Sequence, residues 1–130
     1  MLASAPLYLT IPTKDLARAK VFYESVLGLQ VHDDKGFEVI FLAGDVLVDV
    51  FTSEGAGTAA HTLASFMVDD IDSVVQSLRE RGVVFEDYDL PDLRTVDGIA
   101  ALGPDKVAWF KDPDGNILAI SQEYALPPSG

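Results

Sequence analysis

The sequence predicts an α+β fold built from two copies of one short unit, each a strand, a helix and three further strands. Short runs in which apolar and polar side chains alternate indicate the strands. Two longer segments with apolar residues every three or four positions indicate helices. The strand–helix order then returns, since Asp15–Gly28 aligns with Asp70–Gly82. At 130 residues the chain has the size of one domain, so we predict a single domain over 1–130, with units at about 5–54 and 60–123.

The first unit begins with an alternating strand and an amphipathic helix. In the strand, Leu7, Leu9 and Ile11 alternate with residues that carry hydroxyl groups. A helix is predicted over Asp15–Leu27, and Gly28 is placed to end it. Three strand-like runs complete the unit: Leu29–His32, Phe37–Leu42 and Val46–Thr52.

The second unit repeats this order. A strand is predicted at Thr62–Val68, followed by a helix that begins near Asp70 and stops at Gly82. Pro113 and Gly115 predict a tight turn late in the unit, because Pro presets φ and Gly accepts positive φ. The other predicted elements are a short strand at Val83–Glu86, a long polar loop over 86–103, and strands at Val107–Lys111 and Asn116–Gln122.

Composition and charge exclude several classes of function. Nine Lys and Arg against 21 Asp and Glu give a net charge of −12, which repels nucleic acid and anionic membranes and favours cationic partners. The chain has no cysteine, so disulfides, thiolate nucleophiles and cysteine-bound metals are excluded. No basic segment precedes a long apolar run, and no stretch approaches the ~20 apolar residues of a membrane span. We therefore expect a cytoplasmic protein that binds neither nucleic acid nor membrane.

Three stretches carry a resemblance to a known family: IPTKDLARAKVFYESVLGL, VDDIDSVVQSLRERGVVF and VAWFKDPDGNILAI. They combine the pattern D-L-x-x-A-x-x-F-Y-x-x-x-L-G with F-x-D-P-D-G-N, a specific pairing. With the doubled unit, the sequence resembles the vicinal oxygen chelate superfamily, which includes glyoxalase I, extradiol dioxygenases, fosfomycin-modifying enzymes and bleomycin-binding resistance proteins. The resemblance implies two βαβββ units that form a curved mixed sheet around a groove and face each other to enclose the site. It also implies a homodimer.

The resemblance further implies four metal-ligand positions, which fall on Tyr8, Asp49, Leu63 and Ala119. Leu63 and Ala119 have no donor atom, and Tyr8 is a poor ligand at neutral pH because a tyrosine phenol ordinarily ionises only near about pH 10. A catalytic divalent centre needs about three protein ligands, so we expect no metal and no cofactor. The alternative is a displaced metal site, in which His61 joins Asp49.

Strand alternation predicts which side chains face the groove. Side chains of the other parity, such as Leu7 and Leu118, are expected to pack under the helices. Trp109 is predicted to form a wall on which a ligand stacks, while Phe110 lies in the core. The alternative is that Trp109 is a packed or interface residue and the apolar groove residues only fill a closed groove. The predicted ligand-binding residues are Tyr8, Thr10, Asp49, Phe51, His61, Leu63, Ser65, Trp109 and Ala119.

These expectations favour one function and leave two others open. The main prediction is a metal-independent small-molecule-binding protein of the glyoxalase and bleomycin resistance type, which sequesters an aromatic or cationic compound. The acidic segment 86–103 is either a lid that attracts a basic ligand or a solvated loop. One alternative is a glyoxalase-like lyase or isomerase, or a dioxygenase-related enzyme, with a displaced metal or acid–base chemistry at Asp49 and His61. The other is an accessory module without a pocket of its own.

Overall fold

The computed structural model describes residues 1–123, and the chain divides into two compact units. The first unit consists of residues 1–60 together with 112–116. The second consists of residues 61–111 and the described residues from 117 onward. None of the helices in the described part of the chain is long and apolar enough to cross a membrane.

The first unit contains a four-stranded sheet and one helical segment. Its sheet has the order β1-β4-β3-β2, with β1 parallel to β4 and the other pairs antiparallel. Its elements are β1 (Leu9–Thr13), α1 (Leu16–Val21), a π-helical turn (Phe22–Val26), β2 (Gln30–Asp34), β3 (Glu38–Ala43) and β4 (Val46–Thr52).

The helix of the first unit begins where the sequence predicts it and changes its winding before it ends. The Asp15 carboxylate caps α1 by accepting a hydrogen bond from the backbone N–H of Arg18. The last turn is π-helical rather than α-helical, since the N–H of Leu27 bonds to the carbonyl of Phe22. Gly28 then ends the helix at a φ of 76°, a conformation that glycine adopts without steric cost.

Strand alternation predicts the core of the first unit correctly, except at its start. Ile11, Val48 and Val50, which alternation assigns to the core, are buried, and Val39 and Phe41 of β3 are buried on the same face. Leu7 was expected to join them, and this prediction is wrong, because Leu7 is 90% exposed. The physical reason is that pairing with β4 begins only at Leu9, so the residues before it have no sheet to pack on.

The second unit contains a six-stranded sheet of order β5-β10-β9-β8-β7-β6. Its helix buries Ile71, Val75 and Leu78 and packs against the last two strands in the chain. Its elements are β5 (Thr62–Met67), α2 (Ile71–Glu80), β6 (Asp89–Leu90), β7 (Leu93–Val96), β8 (Ile99–Leu102), β9 (Asp105–Lys111) and β10 (Ile117–Gln122).

Two predictions for the second unit need correction. The strand expected at Val83–Glu86 is reduced to one isolated bridge between Phe85 and Phe110. The segment expected as a polar loop contains the short strands β6, β7 and β8. Asp97 and Gly98 join β7 to β8 with φ values of 53° and 80°, and an Asp-Gly pair is a favoured two-residue hairpin turn. This dipeptide is the signal that could have identified the hairpin.

A bulge interrupts the alternation at the start of β5. Thr62 pairs with Ile117 and Ala64 pairs with Leu118, so Leu63 is the extra residue on its strand. The parity argument that placed His61 and Leu63 on one face of a regular strand does not hold across such a bulge.

Candidate functional site

The carboxylates of the D-P-D-G-N motif stabilise the first unit rather than facing a ligand. Asp112 is buried and accepts four hydrogen bonds: from the Tyr23 hydroxyl at 2.6 Å, the Asn116 side-chain amide at 2.9 Å, and the backbone N–H groups of Asp114 and Asn116 at 3.0 and 2.9 Å. Burial, followed by the charge of Asp112, raises the pKa of Tyr23. The hydroxyl therefore remains a donor to Asp112.

Asp114 completes this structural role. It accepts hydrogen bonds from the Thr13 hydroxyl at 2.5 Å, the backbone N–H of Lys14 at 2.8 Å and the Arg18 guanidinium at 3.0 Å. The Asn116 side chain donates to the carbonyl of Pro12 at 2.8 Å. The motif thus ties the 112–116 turn to the end of β1 and the start of α1, which excludes its carboxylates from ligand binding.

The other face of the first unit's sheet carries a mixed set of half-buried and exposed side chains. Thr10 and Ile40 flank Asp49 on the neighbouring strands. Strand alternation gives the same face Glu38, Leu42, Leu47 and Phe51. Three sequence-predicted residues, Thr10, Asp49 and Phe51, are therefore neighbours on one surface.

A pair of carboxyl groups is the main polar feature of this face. Glu38 lies close to Asp49 on this face, and burial, followed by the hydrogen bonding and charge of Glu38, raises the pKa of Asp49 to about 6. The Nζ atom of Lys35 lies 3.7 Å from Oε1 of Glu38, and its positive charge partly offsets the repulsion between the Glu38 and Asp49 carboxyl groups. Within the described residues, the Asp49 Oδ1 atom is buried and has no hydrogen-bond partner. Sequence reasoning identified Asp49 but missed Glu38, because their proximity depends on strand pairing.

In the second unit, three predicted residues form one row across the sheet. Ala119 pairs with Ser65 on one side and with Trp109 on the other. Phe110 is fully buried in the core, so the prediction that Phe110 and Trp109 point to opposite faces is confirmed. Whether Trp109 contacts a ligand stays a prediction.

Trp109 has an aromatic neighbour that sequence reasoning did not assign to it. The Tyr88 ring lies edge-to-face against the Trp109 ring, with centroids 5.6 Å apart and an interplanar angle of 75°. The pKa of Tyr88 is raised by burial and then by Glu86. In the next row of the same face, Ser121 is 2% exposed, and its hydroxyl has no partner among the described residues.

The remaining predicted residues lie at strand ends or at the bulge. Tyr8 precedes β1 and is 57% exposed. His61 precedes β5 and is also exposed. Leu63 is the half-buried bulge residue.

The residues at the four implied metal positions do not fit a divalent metal. Asp49 is the one position of the four with a strong ligand, while Leu63 and Ala119 have no donor and Ala119 is buried. Among residues 1–123, no three His, Cys, Asp or Glu side chains are grouped so that they could hold a metal ion.

Comparison with known proteins places this fold in a family. A sequence model of the Glyoxalase/Bleomycin resistance protein/Dioxygenase superfamily matches residues 6–120. No curated protein sequence matches the chain.

Several solved structures share the fold at low sequence identity. A glyoxalase family protein from Enterococcus faecalis has a TM-score of 0.71 and 21% identity, covering 94% of this chain and 100% of that one. Lactoylglutathione lyase from Agrobacterium tumefaciens has a TM-score of 0.67 and 20% identity, covering 92% and 93%. The fosfomycin resistance protein FosX from Listeria monocytogenes has a TM-score of 0.70 and 15% identity, covering 94% and 95%. At these identities the similarity shows the fold alone.

Proposed function

Because the chain belongs to the Glyoxalase/Bleomycin resistance protein/Dioxygenase superfamily, we propose that it is a metal-independent small-molecule-binding protein that sequesters a cationic or aromatic compound. The observation that carries the proposal is the Glu38–Asp49 carboxyl pair on the open face of the first unit. The family hosts both enzymes and binding proteins, so the residues present, and not the fold, decide between them.

The carboxyl pair favours a ligand that is a cation or a strong hydrogen-bond donor. A positive group beside the pair would relieve the repulsion between Glu38 and Asp49. It would also supply the donor that the buried Oδ1 atom lacks, and a buried polar atom without a partner costs about 1–3 kcal/mol. Ile40, Leu47 and Phe51 surround the pair with apolar surface, which suits an organic cation.

The aromatic part of the proposal rests on the second unit. Trp109 and Tyr88 present a half-buried aromatic corner beside Ala119 and Ser65. A planar ligand can stack on such a surface, and a cationic one gains a further attraction to the ring face.

Titration calorimetry with cationic antibiotics, neutral aromatic compounds, and thioester and diol metabolites tests this function. We expect a cationic aromatic compound to bind at least tenfold more tightly than its neutral analogue. Asp49→Asn should weaken binding of the cation by at least about tenfold, because a hydrogen bond to a charged group contributes about 1.5–3 kcal/mol. Asp45→Asn, in the exposed turn between β3 and β4, is the matched control and should have no effect. If no compound binds, or both variants behave alike, the proposal fails.

A second candidate, acid–base catalysis, is favoured by the pKa of Asp49. A carboxyl group with a pKa of about 6 can hold or release a proton near neutral pH, as a general acid or base must. The class would be a lyase or isomerase. Mass spectrometry of the incubated metabolites would detect conversion, and Asp49→Asn should abolish turnover while retaining the binding of neutral substrates.

The displaced metal site at Asp49 and His61 is tested separately. Calorimetric titration with nickel, zinc or manganese should show no tight one-to-one binding if the proposed function is right. Tight binding that His61→Ala removes would favour the enzymatic alternative instead.

We also propose that the protein is a cytoplasmic homodimer. Leu7 and Tyr8, which are adjacent in the first unit, are 90% and 57% exposed, and association with a second copy would cover this apolar surface. Sedimentation at micromolar concentration should give twice the chain mass of 14.0 kDa. A single species of 14.0 kDa would contradict the dimer without affecting the proposed ligand class.

A further inference from the structure

The second unit contains a pocket that none of the predicted site residues lines. Its volume is about 360 Å³, and it is open to solvent, since Val96 in its lining is 76% exposed. Lys106 on β9 is 3.7 Å from Asp72 of α2, so the pocket lies on the side of the sheet that carries this helix. Its lining residues are Asp72, Arg94, Val96, Asp97, Ile99, Ala101 and Lys106.

The pocket exists because the sheet is wider than its helix. The ten-residue α2 packs against β9 and β10, whereas β7 and β8 extend further along the sheet. Val96 and Ile99 pair across the β7–β8 hairpin and form an apolar floor with Ala101. Arg79 of α2 donates a hydrogen bond to the carbonyl oxygen of Asp97, which holds the hairpin turn beside the helix.

The charged residues around this floor balance each other. Two cations, Arg94 and Lys106, and two carboxylates, Asp72 and Asp97, give the lining no net charge in a chain of net charge −12. The cations are loosely held. Lys106 is 44% exposed in its contact with Asp72, and Arg94 is 75% exposed in its 3.3 Å ion pair with Asp89. Exposed ion pairs of this kind contribute little to the stability of the fold. A ligand can therefore replace them at a low cost in free energy.

We propose that this pocket binds a small zwitterion with an aliphatic body, of the free amino-acid type. Its carboxylate would contact Arg94 and Lys106, its ammonium group would contact Asp72 or Asp97, and its aliphatic part would cover Val96 and its neighbours. A purely anionic ligand is opposed by the two carboxylates and by the net charge. A purely cationic ligand is attracted to all 21 acidic residues of the chain, so this pocket would not bind it selectively.

An NMR titration of the isotope-labelled full chain with L-leucine tests the proposal. We expect saturable shifts at Val96, Ile99 and Ala101, with a dissociation constant in the millimolar range or below. Isocaproate, which lacks the ammonium group, and isoamylamine, which lacks the carboxylate, should each bind at least roughly fivefold more weakly.

Two lysines on the same strand provide a matched pair of variants. Lys106→Gln should weaken L-leucine roughly fivefold, whereas Lys111→Gln, which alters the distant contact with Glu86, should leave binding unchanged. Resonances outside the pocket report whether each variant keeps its fold. The proposal is overturned if L-leucine gives no saturable shift at about 50 mM, if either one-charge analogue binds as well, or if the two variants behave alike. None of these outcomes bears on the carboxyl pair of the first unit.

Discussion

At the scale of single residues, Asp49 links the candidate site to stability. Its pKa of about 6 exceeds the ordinary carboxyl value of 3.8. Between these values the unfolded chain has lost a proton that the folded protein keeps, so stability falls as the pH rises through this window and levels off above it. We expect Asp49→Asn to raise stability at pH 8 by about 1 kcal/mol, or a few degrees of melting temperature, after allowing for partial solvent access.

Thermal unfolding measured from pH 4 to pH 8 checks this prediction. The stability gain should shrink towards pH 4, where Asp49 keeps its proton in the folded protein and about two fifths of the unfolded chains are protonated at this residue. Asp45→Asn, in an exposed turn, should show no such trend. A gain that is constant with pH would contradict the proposed cause.

Tyr23 offers a second test at this scale. Its hydroxyl is one of four donors to the buried Asp112 carboxylate. We expect Tyr23→Phe to lower the free energy of unfolding by about 1–3 kcal/mol, because the carboxylate loses a donor but stays buried. Urea unfolding at pH 7 measures the change. The half-buried Tyr88 is the control, and an equally large loss in Tyr88→Phe would argue against a special role for the Asp112 contact.

At the scale of elements, the segment between β4 and β5 is fixed against the D-P-D-G-N turn through Gly57. Its N–H donates to the Asn116 side chain at 2.9 Å, its φ is 77°, and an added Cβ would overlap the carbonyl oxygen of Asp114. We expect Gly57→Ala to destabilise the protein by more than about 3 kcal/mol, from steric overlap added to left-handed strain.

Gly44 supplies the comparison for Gly57. It has a φ of 56° but open space where a Cβ would be placed, so Gly44→Ala should cost only about 1 kcal/mol. Denaturant unfolding of both variants separates steric overlap from backbone strain. Similar losses in the two variants would show that the close approach to Asp114 carries no cost.

At the scale of the whole molecule, the net charge of −12 opposes the compact state through self-repulsion. Salt screens this repulsion, with a Debye length that falls from about 10 Å at 0.1 M to about 3 Å at 1 M. We therefore expect the melting temperature at pH 8 to rise by several degrees across this range of sodium chloride. Near the pI of about 4.2 the same salt should have little effect. An equal rise at both pH values would point to a general effect of salt on apolar burial instead.

The limits of sequence-based prediction are visible in particular residues. Alternation placed Phe110 in the core and Trp109 on the opposite face, because strand period is a local property. It failed at Leu63, since a bulge arises from pairing with β10 and leaves no periodic signal. The hairpin of β7 and β8 was missed because each of its strands has only four residues, although Asp97-Gly98 marks its turn.

The sequence by itself determined the doubled unit, the excess of acidic residues and the lack of donor atoms at Leu63 and Ala119. These are properties of composition and of neighbours along the chain. Only the tertiary structure decided that Glu38 lies beside Asp49, that Asp112 accepts a hydrogen bond from the Tyr23 hydroxyl, and that two cations and two carboxylates line a pocket in the second unit. Burial and pKa depend on groups that strand pairing and helix packing bring together, and Tyr23 and Asp112 are 89 residues apart in sequence.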